Sequence, residues 1–358
     1  MQENKLDLLR CPISRTRLQL QPISTSIKEF TTGSETIIME GILFADQDWF
    51  YPIIGGIPRL IVEAFIEYES FFVRNMPDYS SRRQILENKY PGLIKQVQRK
   101  NRRTRESFSL EWSIYDYKED QTWGAANDKL LDRFLEETGE TLTALPGKLV
   151  FDAGCGNGLL DQYIARAGAI VVAMDFSNSI ERAFEWNREA GLVYIQGDVQ
   201  FPPLRHDTFD IVHSSGVLIC TNNTELSFHC IETCVKPGGK LSVWLYHPRD
   251  NRIHRFFNVM RNITSRWPLK LNFLFLKYIM LPISFIIKRI KGNRENSHEM
   301  MVALLDWFTP EFRWEHAHDE AAAWFSKLGY RFIEVTTTNI FGFNIIGTRS
   351  EDPISKHG

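Results

Sequence analysis

Asp152, Gly154, Gly156 and Gly158 lie in the stretch LVFDAGCGNG, where an apolar run gives way to an acid and then to glycine at every second position. Glycines so placed permit a tight turn and leave bare main chain against which a ligand can rest. A helix predicted to begin near Leu159 would add amide hydrogens that lack intrahelical partners and point toward that ligand. Asp175 closes a second apolar run, AIVVAMD, and a carboxylate there can accept two hydrogen bonds from a ribose diol. Asp198, in QGDV after a third run, is placed to receive the exocyclic amine of an adenine. Three strand ends on one sheet edge describe one pocket. The even spacing of the glycines departs from the G-x-G-x-x-G spacing that admits a pyrophosphate, which disfavours NAD and FAD.

Other residues point to a reacting partner. His247 follows a fifth apolar run in WLYHPRD, at the edge where a substrate would lie, and a histidine can take a proton at neutral pH. Trp112, Tyr115 and Tyr117, in EWSIYDY, could close over the pocket or belong to the core. Asp306, Trp307, Glu315, His316 and His318 form an aromatic-acidic run, but two close histidines without a further ligand set read as capping or surface residues rather than a metal pair. Cys230 and Cys234 read as small apolar residues of a helix. No metal is expected.

The elements that must position these residues are legible as pattern. After Pro146, near-continuous apolar runs alternate with helical ones, the signature of a parallel sheet covered on both faces. Before it stand a β-rich module over residues 1–62 and a helical connector over 63–127; residues 128–350 form the main domain. Between 249 and 306 the alternation stops, and a helical lid insertion is expected there. Within it, Trp267–Ile290 is apolar but broken by Lys270, Lys277 and Pro282, so it reads as a lid or as an interfacial segment touching lipid headgroups or an amphiphilic substrate, not as a span.

With 358 residues, 43% of them apolar and 24% charged, the chain has the balance of a globular enzyme. A net charge of −2 argues against a surface built for nucleic acid, and the one dense cationic run, QRKNRRTR, reads as a solvated helix end or linker. Five scattered cysteines suggest no disulfide framework, and MQENKLDLLR lacks the apolar core of a signal peptide, so the expected location is cytoplasmic.

From Lys148 to Tyr246 the chain resembles the class I S-adenosylmethionine-dependent methyltransferases, the methyltransferase type 11 group in particular. The likeness rests on VFDAGCGNG, VVAMDFSNS, GDVQFPPL, FDIVHSSGVLICTNNTE and CVKPGGKLSVWLY. It implies a Rossmann-like, doubly wound, mostly parallel seven-stranded α/β sheet. It also implies S-adenosyl-L-methionine as cofactor, with Gly154, Gly156 and Gly158 at the methionine portion and Asp152 orienting the turn or meeting the ammonium. Asp175 and Phe176 would be at the ribose, Asp198 and Val199 at adenine, and Ser214 beside the cofactor. His247 and Tyr115 are the expected catalytic residues. Where the group commonly has Leu-His-His, this chain has Leu218, Ile219 and Cys220. The acceptor expected is a small molecule of secondary-metabolite, cofactor or glycan biosynthesis; the alternatives are a cofactor-binding scaffold, or an RNA or protein methyltransferase.

The N-terminal module resembles the small zinc-ribbon activators of tRNA and protein methyltransferases, through LLRCPISRTRLQL and GILFADQDWFYPIIGGIPRLI. Of the four expected ligand positions only Cys11 remains, the others being Ser14, Phe44 and Gln47, so the module is expected to hold no zinc and to fold on Leu8, Ile42, Tyr51, Ile53, Ile57 and Leu60.

Overall fold

The structure, a computed structural model, describes residues 1–46, 48–114, 129–250, 252–290, 292 and 296–351. The chain opens with an antiparallel four-stranded sheet, β1 (Gln19–Phe30), β2 (Gly33–Phe44), β3 (Phe50–Ile54) and β4 (Ile57–Pro58), paired in that order. The first two strands run twelve residues each, longer than the short strands expected. Of the expected core, Ile42, Tyr51, Ile53, Ile57 and Leu60 are buried and Leu8 is half-buried. The sheet is stitched to the main domain by Leu60 N–H donating to the Gln196 carbonyl at 2.8 Å and Arg10 N–H donating to the Pro203 carbonyl at 2.8 Å.

Four helices follow: α1 (Ala64–Glu67), α2 (Glu69–Asn75), α3 (Tyr79–Lys89) and α4 (Pro91–Ile114). Pro91 opens α4, where its missing N–H costs no hydrogen bond. The helix continues well past Lys100, so the cationic run is part of its middle and not a linker.

The main domain enters through α5 (Leu130–Thr138) and then alternates: β5 (Leu149–Ala153), α6 (Leu159–Arg166), β6 (Ile170–Asp175), α7 (Ser179–Trp186), β7 (Leu192–Gln196), β8 (Phe209–Ser215), α8 (Thr224–Glu232) and β9 (Val235–Tyr246). Helices α9 (Arg252–Thr264), α10 (Leu269–Phe275), α11 (Leu281–Ile290) and α12 (Ser297–Phe308) fill the predicted insertion, and α13 (His318–Lys327), β10 (Tyr330–Thr338) and β11 (Gly342–Arg349) complete the fold. The seven strands lie in the order β10-β11-β9-β8-β5-β6-β7; β11 alone runs against its neighbours. This is the Rossmann-like, mostly parallel sheet expected.

Successive side chains of a strand face opposite sides, and here both sides are covered. Val150, Val171 and Ile211 pack with Phe134, Ile164 and Ile180 of the helices on one face. Phe151, Val172 and Val212 face the other layer, which merges with the core of the N-terminal sheet through Leu9, Tyr51 and Phe65. Strand order reverses at β5, whose neighbours β6 and β8 lead in opposite directions. The crevice at the carboxyl end of such a switch point is where open α/β sheets bind ligands.

Helices α10 and α11 are joined by a wider π turn, Leu276–Met280, into one helix from Leu269 to Ile290. The wide turn sits just ahead of Pro282, which has no N–H to donate within an α-helical ladder. Helix α12 starts with a capping box: Asn296 Oδ1 accepts from Glu299 N–H at 2.8 Å and Glu299 Oε2 accepts from Asn296 N–H at 2.9 Å.

Candidate active site

A cavity of about 840 Å³ lies over the switch point, bounded by the ends of β5, β6 and β8, by α4 and by α12. Asp152, Gly154, Gly156, Asp175, Phe176, Asp198 and Val199 all line it. The turn after β5 is held by Gly154 and Cys155, whose N–H groups donate to the Met174 carbonyl at 2.7 and 3.0 Å. Gly154 has φ +105°, and a Cβ there would come within 2.2 Å of Val217 Cγ2. Gly158 has φ +70°, and its Cβ would meet Ala183 Cβ at 2.7 Å and the Tyr194 hydroxyl at 2.6 Å. Both outer glycines therefore make room for protein atoms; Gly154 still lines the cavity, while for Gly158 the expectation of bare main chain facing a ligand is corrected. Gly158 seats α6 against the sheet and does not line the cavity.

Asp175 ends β6 half-exposed to the cavity. Its Oδ2 accepts from Gly156 N–H at 2.9 Å, and its Oδ1 accepts from Ser177 N–H at 2.7 Å and the Ser177 hydroxyl at 2.6 Å. Burial raises its carboxyl above the ordinary value, against the pull of those three donors. Asp198 is more fully engaged than expected: Oδ1 accepts from Gln200 N–H at 2.9 Å, while Oδ2 accepts from Lys100 Nζ at 3.1 Å and Asn101 Nδ2 at 3.0 Å.

Those last two donors belong to α4. Lys100, Thr104, Phe108 and Glu111 recur at three- and four-residue spacing, so a single face of the helix borders the cavity. Arg105 turns to Glu67 at 2.8 Å and Glu63 at 3.8 Å. Lys100 and Arg105 of the cationic run are thus wired inward, which corrects the reading of a solvated helix end.

Beneath the glycine turn lies a buried charge cluster that the sequence reading missed. His213 Nδ1 is 2.9 Å from Asp152 Oδ1, and His213 Nε2 is 2.8 Å from Glu137 Oε2. Burial alone would lower the imidazole, but the bonds to Asp152 and Glu137 outweigh it and raise the pKa to about 10. His213 is therefore cationic between two carboxylates. Asp161 is buried alongside, and burial together with the Asp152 charge pushes its carboxyl well above the ordinary range. The cluster keeps a net negative charge under the cavity. Of its members the sequence singled out only Asp152; His213, within the strand FDIVHSS, and Glu137, near the end of α5, carry no local signal.

The opposite half of the cavity is acidic and aromatic. The Tyr246 hydroxyl donates to Asp306 Oδ2 at 3.0 Å. Arg313 stacks between Tyr246 at 3.9 Å and Trp307 at 3.6 Å, measured to the ring centroids. Burial raises the Asp306 carboxyl, opposed by Arg313, Tyr246 and Arg261. Glu111 is fully buried, and neither of its oxygens has a hydrogen-bond partner among the described residues. Burial, with Asp306 and Asp175 nearby, pushes its carboxyl well above the ordinary range. Cys220, in the place of the group's common histidine, also lines this half.

Other expected residues lie elsewhere. His247 does not line the cavity; its Nε2 is 3.1 Å from the Asn339 carbonyl and its Nδ1 is 3.2 Å from the Pro248 carbonyl, so it ties two loops together. Ser214 is buried beneath the cavity, donating to the Ala153 carbonyl at 2.8 Å, and Ser215 lines the cavity in its place. Tyr115, Tyr117 and Gln47 fall outside the described residues, as does the Trp112 side chain. His316 pairs with Glu320 at 2.9 Å and His318 packs on Phe343, so the two histidines do not converge. Cys11 is buried, 3.3 Å from the Tyr51 hydroxyl, and accepts from Ser14 N–H at 3.3 Å. Phe44 lies beneath the Arg82 guanidinium.

The same residues carry the likeness to known proteins. Residues 151–243 match the family described as "Methyltransferase domain". A methyltransferase of Synechocystis sp. is 31% identical over 127 residues, covering 33% of this chain and 59% of its own length. A demethylmenaquinone methyltransferase of Renibacterium salmoninarum is 24% identical over 200 residues, 56% of this chain and 73% of that protein. Among solved structures, magnesium protoporphyrin IX methyltransferase of Synechocystis is 17% identical, with 69% of this chain and 98% of that chain covered and a TM-score of 0.39. The chain spans about three-fifths of the first relative's own length. Residues 151–243 thus carry the match to a methyltransferase domain, and the cofactor is S-adenosylmethionine.

Proposed function

We propose that the chain is an enzyme that moves a methyl group from S-adenosylmethionine to a small-molecule acceptor bound in the same cavity. The observation that carries this reading is the continuity of that cavity, which joins the Asp175 carboxylate and the glycine turn to the Asp306, Tyr246 and Trp307 half without a dividing wall. The residues present fit the cofactor by their charge. A cation finds Asp175 at the strand tip and the net negative Asp152–His213–Glu137 cluster below it. When bound, the cofactor supplies an electrophilic methyl on a positively charged sulfur.

The chain's own residues then have three tasks. Asp175 and Phe176 fix the sugar side, while α4 closes over the site through the Lys100–Asp198 pair and keeps water out. Trp307 and Tyr246 give the acceptor an aromatic wall that sets its approach. Asp306 takes the proton that a hydroxyl or ammonium acceptor must lose, and its raised carboxyl pKa brings it nearer to neutral pH, where a base works best. The role of Asp306 replaces the one expected of His247, which does not line the cavity.

The insertion acts as the acceptor's lid through α12, and the N-terminal sheet is an activator-like module held by its apolar core rather than by metal. Support for the latter is the use of Cys11 as a hydrogen-bond acceptor inside that core.

The test follows the methyl group. Transfer of labelled methyl into a panel of phenolic, amine and amphiphilic small molecules should be detected with the native chain. With Asp306→Asn it should fall by about 10²- to 10⁴-fold while affinity for S-adenosylhomocysteine stays the same. Unchanged turnover in the variant would remove Asp306 from the mechanism. Tight cofactor binding with no transfer to any class would favour a scaffold.

A further inference from the structure

The helical insertion carries a surface that the methyl-transfer reading leaves unused. Of the 24 large apolar side chains exposed among the described residues, twelve lie between Phe256 and Ile290. They are ordered: Phe256, Val259 and Ile263 follow one side of α9, and Ile279, Ile283, Ile286 and Ile290 follow one side of the long helix. That helix covers 22 residues with a mean hydropathy of 1.6 over its most apolar window, and only 17% of that window is buried. Patches of this extent mark an interaction site, since a monomer gains nothing by showing them to water.

Charge distinguishes among occupants. From Arg249 to Ile290 the chain has nine Lys and Arg and a single acid, Asp250, a net +8; the whole chain is −2, so the remainder is −10. A second copy meeting this face with its own would set like charge against like. An anionic surface would meet cations at Arg252, Arg266, Lys270, Lys277 and Arg289, all exposed. Lys277 Nζ lies 5.6 Å from the Tyr278 ring and the Arg289 guanidinium 4.9 Å from that of Phe285, so their stems follow the apolar face. Long cationic side chains take this posture where an apolar layer meets charged headgroups.

The inner side of the helix is fixed. Leu276 and Met280 pack with Met301, Leu305 and Phe308 of α12, so the helix is fastened to the domain at its middle rather than standing free. From this geometry we infer that the α9–α11 face docks on an anionic lipid bilayer. The long helix also borders the cavity, through Lys288, as α12 does through Glu299 and Val302. An amphiphilic acceptor dissolved in the bilayer would enter there without crossing water, a consequence that rests on the methyl-transfer reading.

The test is sedimentation of the full chain with phosphatidylcholine vesicles, with and without phosphatidylglycerol. Binding is expected only to the anionic vesicles. It should weaken by about tenfold or more in a triple variant, Ile279→Ser with Ile283→Ser and Ile286→Ser, and in a double variant, Lys277→Glu with Arg289→Glu. Affinity for S-adenosylhomocysteine, which reports on the methyl-transfer reading separately, should match the native value in both. If the serine variant does not fold, the charge variant carries the test alone. No sedimentation with anionic vesicles, or equal sedimentation with neutral ones, would overturn the inference. So would a native dimer that the serine variant dissolves, since a second copy would then be the occupant.

Discussion

His213 is buried with both ring nitrogens engaged by carboxylates. Removing the imidazole would leave Asp152 and Glu137 buried without their cation, so His213→Ala should cost about 3–5 kcal/mol of stability in urea titration. The same pairing fixes a pH dependence. The folded imidazole titrates at about 10, above its ordinary 6.5, so the native state holds a proton that the unfolded chain releases. The contribution is complete below about pH 6.5 and is lost as pH rises through about 10. Stability of the native chain should therefore fall across that window, and an imidazole resonance should show His213 still protonated at pH 8. A histidine titrating near 6.5, with flat stability above it, would break the cluster's assigned role. Asp152 was legible beforehand because it precedes a recognisable turn. Its partners were not, because a strand histidine and a helix glutamate 76 residues apart meet only through packing.

Helix α4 is the element with the widest reach. It touches Asp198 through Lys100 and Asn101, Glu63 and the α1 acid Glu67 through Arg105, and the cavity through Glu111. Lys100→Met removes one of the two α4 donors to Asp198. The expected cost is about 1–3 kcal/mol, with faster amide exchange through the centre of α4 than in β5 or β6. Exchange unchanged in α4 would mean that the helix is held by its apolar contacts alone. The alternating strands and helices of the sheet were readable from apolar run length, since a strand buried on both faces is apolar along most of its length. Helix α4 was misread because charge density alone cannot tell a solvated face from one that finds buried acids; Asp198 and Glu63 supply those partners across 98 and 42 residues of chain. The glycines show a similar limit: their spacing announced the turn, whereas Val217 and Tyr194, which occupy the space left at Gly154 and Gly158, come from distant segments.

The whole molecule divides its labour by charge. A cationic, apolar insertion stands on a scaffold that is otherwise acidic, with the cavity between them and the sheet's switch point as its floor. That polarity was present in the sequence, but its meaning depended on which helix face the packing of α12 would cover. The central claim is that this floor receives an adenosyl sulfonium, and calorimetric titration of the full chain with S-adenosylhomocysteine tests it most directly. The native chain should bind one equivalent, and Asp175→Ala, lacking the acceptor for the sugar hydroxyls and the anchor of Gly156, should bind about 10- to 100-fold more weakly. A folded native chain that binds nothing, or a variant that binds as tightly as the native chain, would contradict the account.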